Sequence, residues 1–426
     1  MKRTLIYTIL YLMLPFSLLA NNKTDSLKSA TKIVADQNSS IPGLTSDRFN
    51  RPVISWVQAL SENRFQFCYA ISPDNGKTFT EPVIVTPSTS ISPHAENAPK
   101  LLFKPSGEII AVWGVTETSL KQGMIALQEE HAAHQSGKII EAKKSKYAGQ
   151  IYYSQSFDEG ASWTTARPLV NDPAGFDQRY FDIALNKQGE AVIIWLDNRK
   201  ESTKEGSALY IATTHQREGF QQQHKIAETT CQCCRTKLHI DQKQQIHVVY
   251  RAILQDSIRD MVHQVSMDGG KNFSTPKRIH EDNWVVRACP HTGPTMTTNK
   301  EGLHFAWYSA APAKASYYVQ STDNGGHFSE YAALSELARH PQMAALGNGE
   351  IALVWDEVSR SGPSPTTGIT IEWKSADGKT TSRQSLTNPE EMASYPVLIP
   401  LEEGCMVAYQ VKTAAGQRIG WQIHKK

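Results

Sequence analysis

The stretch "SPDNGKTF" (72–79) recurs three more times with the same spacing, as "SFDEGASW" (156–163), "SMDGGKNF" (266–273) and "STDNGGHF" (321–328). Each copy begins with serine, has aspartate two positions later and glycine two positions after that, and ends on an aromatic residue. Short acidic side chains accept hydrogen bonds from turn N–H groups, and glycine tolerates the positive φ of tight turns. Because an alternating, strand-like sequence precedes each copy, we predict four β-hairpin turns.

This pattern resembles the Asp box, or BNR repeat, of the sialidase-like β-propeller family. A single copy of so short a motif is weak, but four copies distributed over most of the chain are specific. In that family the Asp box is a structural turn remote from the active site. The resemblance therefore implies a structural role, without chemistry, for the four turn aspartates, which are Asp74, Asp158, Asp268 and Asp323.

A second repeat lies between these turns, in lines such as "GEIIAVW", "GEAVIIW" and "GEIALVW". Its final aromatic residues are Trp56, Trp113, Trp195, Tyr250, Trp307, Trp355 and Tyr409, at intervals of 57, 82, 55, 57, 48 and 54 residues. Units of this size with four short strands are typical of propeller blades. The fold class predicted is therefore all-β: a single β-propeller of four-stranded antiparallel blades, with seven blades preferred and six as the alternative. We expect the aromatic residues to pack between blades.

The long interval contains an insertion at about residues 119–150. The last unit lacks a clear fourth strand, and "LKSATKIVA" (27–35) resembles the outer strands of other units. We expect this N-terminal strand to complete the last blade and close the ring.

The chain opens with two basic residues, an apolar run over 5–19 and a small residue before a polar stretch. This order is typical of a secretory signal peptide over residues 1–20, although a membrane anchor is the alternative. Residues 21–426 are then the propeller, exported to the periplasm or the extracellular space, with no membrane span. Without the two basic residues the chain has 44 − 2 = 42 basic and 42 acidic residues. A net charge of zero argues against nucleic acid as a partner.

Three cysteines lie within "CQCCR" (231–235), in a chain that has only six. Counting back sixteen positions from each repeat aromatic gives the start of the innermost strand of each blade. These starts are Ser40, Asn97, Arg179, Cys234, His291, Arg339 and Ala393. "CQCCR" and "RACPH" (287–291) thus occupy equivalent places in adjacent blades, around the propeller axis. We expect Cys231, Cys233, Cys234, Cys289 and His291 to be neighbours.

Three interpretations of this cluster stay open. In an exported protein the cysteines can form disulfides, with Cys289 bridging to one of the trio. Thiolates with imidazole also suit copper(I) or zinc, with Met296 or the insertion's His131 and His134 as further ligands. Thiol–disulfide exchange is the third, because Arg235 and Arg287 can favour a thiolate. Separately, Cys68 and Cys405 lie on strands of the first and last blades, where they either pair or stay buried as thiols.

The family resemblance also raises the question of sialidase activity. Sialidases clamp the substrate carboxylate with three arginines and use a Tyr–Glu nucleophile with an Asp acid/base. The candidates for an arginine clamp here are Arg179, Arg235 and Arg287. However, the Phe/Tyr-Arg-Ile/Leu-Pro motif of the first clamp arginine is missing, and no Tyr–Glu pair or catalytic Asp can be matched.

Two hypotheses follow. The chain is either a glycan-directed protein, such as a divergent sialidase-like hydrolase that takes a small anionic ligand or glycan, or a metal-binding or thiol-redox propeller centred on the cysteines. A shared fold does not transfer activity, so the side chains that meet at the axis must decide between them.

Overall fold

The computed structural model describes residues 32–33, 38–61, 64–116, 149–171, 177–199, 204–286, 291–359, 365–388 and 391–425. These residues form strands and three short 3-10 helices, so the all-β prediction is confirmed. The predicted signal peptide and nearly all of the insertion, including His131 and His134, lie outside the described residues. Within the described ranges, no helix has the length and apolar character needed to cross a bilayer.

The strands in chain order are β1 (Lys32–Ile33), β2 (Ser39–Ser46), β3 (Pro52–Ser61), β4 (Arg64–Ile71), β5 (Val83–Val85), β6 (Lys100–Phe103), β7 (Ile109–Thr116), β8 (Gly149–Ser156), β9 (Arg167–Pro168), β10 (Gln178–Leu185), β11 (Ala191–Asp197), β12 (Ser207–Thr214), β13 (Phe220–Thr230), β14 (Lys237–Ile240), β15 (Ile246–Leu254), β16 (Ile258–Ser266), β17 (Lys277–Arg278), β18 (Thr295–Asn299), β19 (Gly302–Ser309), β20 (Ala315–Ser321), β21 (Ala332–Ser335), β22 (Ala338–Ala345), β23 (Ile351–Ser359), β24 (Thr366–Lys374), β25 (Thr380–Ser385), β26 (Met392–Leu401), β27 (Gly404–Thr413) and β28 (Gly416–His424). The 3-10 helices are Thr86–Ser88, Ala95–Asn97 and Gln216–Glu218.

Among the described residues these strands form five four-stranded sheets and one eight-stranded sheet. The four-stranded sheets are β2–β5, β6–β9, β18–β21, β22–β25 and β26–β27–β28–β1. The eight-stranded sheet contains β10–β13 and β14–β17, joined where Thr230 of β13 pairs with Ala252 of β15. All strand pairs are antiparallel, as predicted for propeller blades. The count of seven blades stays a prediction.

The second strand of each group of four is the most apolar, because it packs against neighbouring sheets on both faces. In β11 every residue of "AVIIWLD" is buried. The seven repeat aromatics lie within such strands, and each is at most 1% exposed, which agrees with the expectation that they pack between sheets. Hydrophobic clusters join successive sheets, and one of them joins Trp56 of β3 to Trp421 of β28.

The four predicted turns connect the third and fourth strands of their groups. In each turn the serine hydroxyl accepts the glycine N–H, at 2.6, 2.8, 2.9 and 2.8 Å in chain order. The same hydroxyl donates to the aspartate Oδ1, at 3.0, 2.9, 2.8 and 2.9 Å. That oxygen also accepts the N–H of the residue four positions further on, at 2.7, 2.9, 2.9 and 2.7 Å. The polar groups of each turn therefore bond to one another.

The first described strand pairs with the last one. Lys32 and Ile33 of β1 lie opposite Trp421 and Gly420 of β28 in an antiparallel pair. This is the pairing that the sequence 27–35 predicted for the last sheet, while the closed ring as a whole stays a prediction.

Candidate functional site

The first strands of four sheets bulge near their starts. The register shifts follow Ser40, Arg179, Arg339 and Ser394, close to the starts predicted by sequence counting. Each bulge holds one non-glycine residue with positive φ: Ile41 at 57°, Tyr180 at 55°, His340 at 48° and Tyr395 at 52°. This conformation costs roughly 1–2 kcal/mol, so surrounding contacts must maintain it. We call the end of the sheets that carries Tyr180, Arg235, His340 and Tyr395 the bulged face.

Glu96 is the central carboxylate of the bulged face and is only 4% exposed. Its Oε1 accepts a hydrogen bond from Arg235 Nη1 at 2.8 Å, and its Oε2 accepts the Gly293 N–H at 3.2 Å. His340 Nε2 lies 3.8 Å from Oε1. One side chain thus links strand β22 with the segments that lead into β14 and β18.

His340 connects this carboxylate to a second one. Its Nδ1 lies 2.8 Å from Oδ2 of the buried Asp356, which also accepts the Tyr395 N–H at 2.8 Å. The rings of His340 and Tyr395 are 4.3 Å apart between centroids. Burial raises the pKa of Tyr395, and the neighbouring Glu96 and Asp356 carboxylates raise it further. The polar groups of this part of the bulged face are therefore bonded mainly to one another.

Both described candidates for an anion clamp already have a carboxylate partner. Arg179 forms an ion pair with Asp177, and Arg235 forms one with Glu96. Arg235 also donates to the carbonyl oxygens of Gly293 and Pro341, at 3.4 and 3.3 Å. The third candidate, Arg287, lies outside the described residues. An anionic ligand at the described arginines therefore has to share them with, or displace, a protein carboxylate.

The cysteine trio lies in the segment between β13 and β14. Cys231, Cys233 and Cys234 are 2%, 6% and 1% exposed and pack against Ile253 of β15. Their Sγ atoms lie within 4.8 Å of one another, and the Cys231 and Cys233 sulfurs are 3.4 Å apart. This separation is well beyond the roughly 2.05 Å of a disulfide bond. The trio is therefore a compact set of three thiols with no bond among them.

The three thiols do not hold their protons equally. Hydrogen bonds from Cys233 and Cys234 keep the pKa of Cys231 well below its ordinary value. The same interaction, together with burial, raises the pKa of Cys234 to about 12. Cys231 thus becomes a thiolate, the form that binds metals and attacks disulfides, more readily than Cys234 does.

His291 lies on the bulged face, but the structure does not place it within the sulfur cluster. Its ring centroid is 6.3 Å from that of His94, which in turn is 5.9 Å from the ring of Tyr180. Burial raises the pKa of Tyr180, and the charges of nearby Cys233 and Cys234 contribute. Among the described residues, the set of ligand atoms within 4.8 Å of one another contains the cysteine trio alone. His291 as a ligand stays a prediction, and Cys289 lies outside the described residues.

The remaining two cysteines are free, buried thiols. Cys68 is 2% exposed and Cys405 is 0% exposed, and they belong to different hydrophobic clusters. Burial raises the pKa of Cys68 to about 11 and that of Cys405 to about 12. Of the two alternatives left open by the sequence, the structure shows thiols and no bridge.

Sequence reasoning missed the groups that surround the site. Glu96 and Asp356 give no local signal, because their partners lie far from them in the sequence: Glu96 meets Arg235 and Gly293, and Asp356 meets His340 across the β22–β23 strand pair. Arg251 was visible as a charged residue inside the apolar strand "IHVVYRAIL" (246–254), a position that requires a buried partner.

Comparisons with known proteins bear on the fold. No protein-family model matches the chain, and no curated protein sequence matches it. Among solved structures, BP39L lectin from Burkholderia pseudomallei is 10% identical, with a TM-score of 0.56 over 91% of this chain and 97% of the lectin. A protein of unknown function from Dyadobacter fermentans is 13% identical, with a TM-score of 0.52 over 93% of this chain and 99% of that one. The similarity is one of fold.

A catalytic protein is more distant. The intramolecular trans-sialidase from Ruminococcus gnavus is 10% identical, with a TM-score of 0.47 over 91% of this chain and 94% of the enzyme. Similarity at this level does not carry an activity over. The function of this chain therefore has to be argued from its site.

Proposed function

We propose that the protein binds one soft or borderline metal ion, copper(I) or zinc, through Cys231, Cys233 and Cys234. The observation that carries the proposal is the convergence of three buried sulfur atoms within 4.8 Å of one another. Two sulfurs that share an ion at the usual Zn–S distance of about 2.3 Å lie at most about 4.6 Å apart. Only small side-chain movements are therefore needed for all three to reach one ion.

The donor set fits the chemistry of these ions. Thiolate ligands select copper(I) and zinc over hard cations such as calcium or magnesium. Three thiolates suffice for a three-coordinate ion and leave one position open for a tetrahedral one. His291 and Cys289, from the segment that leads into β18, are the proposed sources of a fourth ligand. The ion would tie the segment before β14 into one rigid unit.

The test combines metal analysis with thiol counting on the native, full-length protein. We expect about one equivalent of copper or zinc, and trio thiols that react with a thiol reagent only after the metal is chelated. Serine variants of Cys231, Cys233 and Cys234 should lose the metal, while the matched Cys68→Ser and Cys405→Ser variants should retain it. Metal-free protein whose trio stays unreactive after denaturation without reductant would show a disulfide clip. If the number of reactive thiols in the trio changes reversibly as the redox potential is varied, the trio is a redox site.

Binding of an anionic glycan at the bulged face is the second candidate. It is supported by the fold shared with BP39L lectin, and disfavoured by the carboxylates already paired with Arg179 and Arg235. We expect weak or absent release of 4-methylumbelliferone from its sialoside. Robust turnover that disappears in Arg179→Ala or Arg235→Ala would reverse the order of the two candidates. Export to the periplasm or the extracellular space belongs to both candidates and is tested by N-terminal sequencing of the exported chain.

A further inference from the structure

Arg251 of β15 is a buried cation whose hydrogen-bond partners are uncharged. This residue is only 1% exposed. Nη1 donates to the carbonyl oxygen of Arg259 at 3.0 Å and Nη2 to that of Tyr308 at 2.7 Å. The guanidinium lies 4.9 Å from the centroid of the Trp284 ring. Within the described part of the chain no carboxylate pairs with it, and its Nε has no hydrogen-bond partner there.

An unpaired cation in this position is costly unless an anion lies nearby. Removing an ion from water costs several kcal/mol even after the protein relaxes, and an opposite charge is the usual compensation. The neighbouring Arg259 illustrates the usual solution, because its Nη2 lies 2.7 Å from Glu205 Oε1. Arg251 therefore needs a partner of another kind.

The strand register places Arg251 beside the cysteine trio. Residues two apart on a strand share a face, so Arg251 and Ile253 lie on the same face of β15. Ile253 belongs to the same buried cluster as the three cysteines, and Arg259 lies opposite Ile253 on β16. The backbone also connects the two sites, because the Cys231 N–H donates to the Arg251 carbonyl oxygen at 2.7 Å. Among the described residues, the trio is thus an anion-forming group beside a guanidinium that has no carboxylate partner there.

We propose that Arg251 is the buried counter-cation of the cysteine trio, a positioning residue that stabilises the anionic metal–thiolate centre without binding the ion itself. The inference deepens the proposed function and rests on it. Residues that support a metal site from outside the ligand set typically contribute 10-fold to 100-fold in affinity. The same factor is expected here. A copper(I) or zinc ion bound by three thiolates has a net negative charge, and that charge is not compensated when the arginine is absent.

The test compares Arg251→Gln, which keeps an amide donor, with Arg251→Lys, which keeps the charge. Arg339→Gln is the matched control, because Arg339 also donates to carbonyl oxygens and packs on Tyr308, but from strand β22. Each protein is loaded with one equivalent of zinc, and retention is measured against a competing chelator. We expect a loss of about 10-fold to 100-fold in Arg251→Gln, a smaller loss in Arg251→Lys and none in Arg339→Gln. Equal retention by Arg251→Gln and wild type would overturn the inference and leave the metal proposal intact.

A second measurement needs no metal and decides the inference if the wild-type protein binds none. The trio of the native, metal-free protein is alkylated with neutral iodoacetamide and with anionic iodoacetate, and the ratio of the two rates is taken. Both reagents attack the thiolate, so the ratio reports the local charge and not the amount of thiolate. A fixed cation favours the anionic reagent, and the iodoacetate to iodoacetamide ratio should fall several-fold in Arg251→Gln. An unchanged ratio would show that Arg251 does not act on the trio.

Discussion

Arg235 donates a hydrogen bond of 2.8 Å to the carboxylate of Glu96, and both side chains are largely buried. The pair lies where the sequence had placed an arginine for binding an anionic ligand. That arginine is thus already paired with an internal carboxylate, which joins three parts of the bulged face.

The Arg235→Met substitution should lower the free energy of unfolding by about 3–5 kcal/mol, because it leaves the buried Glu96 carboxylate without its cation. Urea denaturation followed by tryptophan fluorescence measures the change. The Glu96→Gln, Arg235→Met double variant should recover part of the loss. As a control, Arg217→Met removes an arginine that lies over the Phe157 ring at the surface and should cost less than about 1 kcal/mol. A loss below about 1 kcal/mol in Arg235→Met itself would contradict a structural role for the pair.

Asp158→Ala should destabilise the protein by roughly 1–3 kcal/mol, because its carboxylate accepts hydrogen bonds from Ser156 and Ser162 in the turn after β8. Metal retention by the folded protein should not change, since the turn does not contact the cysteine trio. Thermal unfolding and metal analysis of the same sample test both parts. Glu403→Ala, which breaks an exposed ion pair with Lys425, is the control and should cost at most about 1 kcal/mol. Unchanged stability with lost metal would overturn the structural role of the turn.

His263 should make the protein sensitive to acid. It is buried against His247, with His247 Nδ1 3.0 Å from His263 Nε2, and burial lowers its pKa from 6.5 to about 3. Between pH 6.5 and pH 3 this histidine therefore binds a proton in the unfolded chain but not in the folded protein. The stability that its neutral form contributes above pH 6.5 is lost as the pH falls toward 3.

The expected slope for one such group is about 1.4 kcal/mol per pH unit within that window. His263→Gln should reduce the slope of unfolding free energy against pH by up to this amount, while His215→Gln, at an exposed histidine, should not. Parallel pH profiles for wild type and His263→Gln between pH 4 and 6.5 would refute the assignment.

Ile253 should control access to the cysteine trio. It shares one buried cluster with the three cysteines and also lines a surface pocket of about 450 Å³, together with Thr229 and Gln255. Ile253→Ala should therefore raise the rate of alkylation of the trio several-fold, in addition to a loss of about 2–5 kcal/mol in stability. Ile54→Ala creates a comparable cavity in a different cluster and should leave the trio protected. Equal alkylation rates in the two variants would show that exposure occurs by global unfolding and not through this pocket.

The sequence predicted those features that depend on residues close together in the chain. Four turns could be identified because serine, aspartate and glycine bond within five positions of one another. The repeat aromatics could be identified because each lies within a strand buried on both faces, where only apolar runs are stable. The compactness of the trio likewise follows from three cysteines in four positions.

The partners of these groups could not be predicted, because they come from distant parts of the chain. Glu96 and Arg235 are 139 residues apart, and Glu96 and Gly293 are 197 apart. These contacts depend on how separate sheets are arranged. The spacing of apolar residues along the sequence does not specify that arrangement. The ion pair between Arg235 and a carboxylate is the feature that most weakens the sialidase hypothesis. It could be seen only in the three-dimensional structure.

The pairing of β1 with β28 also has a consequence for biogenesis. The final sheet cannot be completed until β28 has been synthesised, because its outermost strand comes from the opposite end of the described chain. Until then β27 lacks its neighbour on that side, and open strand edges readily pair with other chains. A chain shortened within β28 would keep such an edge permanently. The pairing of β1 with β28 is therefore a late event in folding, because it requires the last described strand.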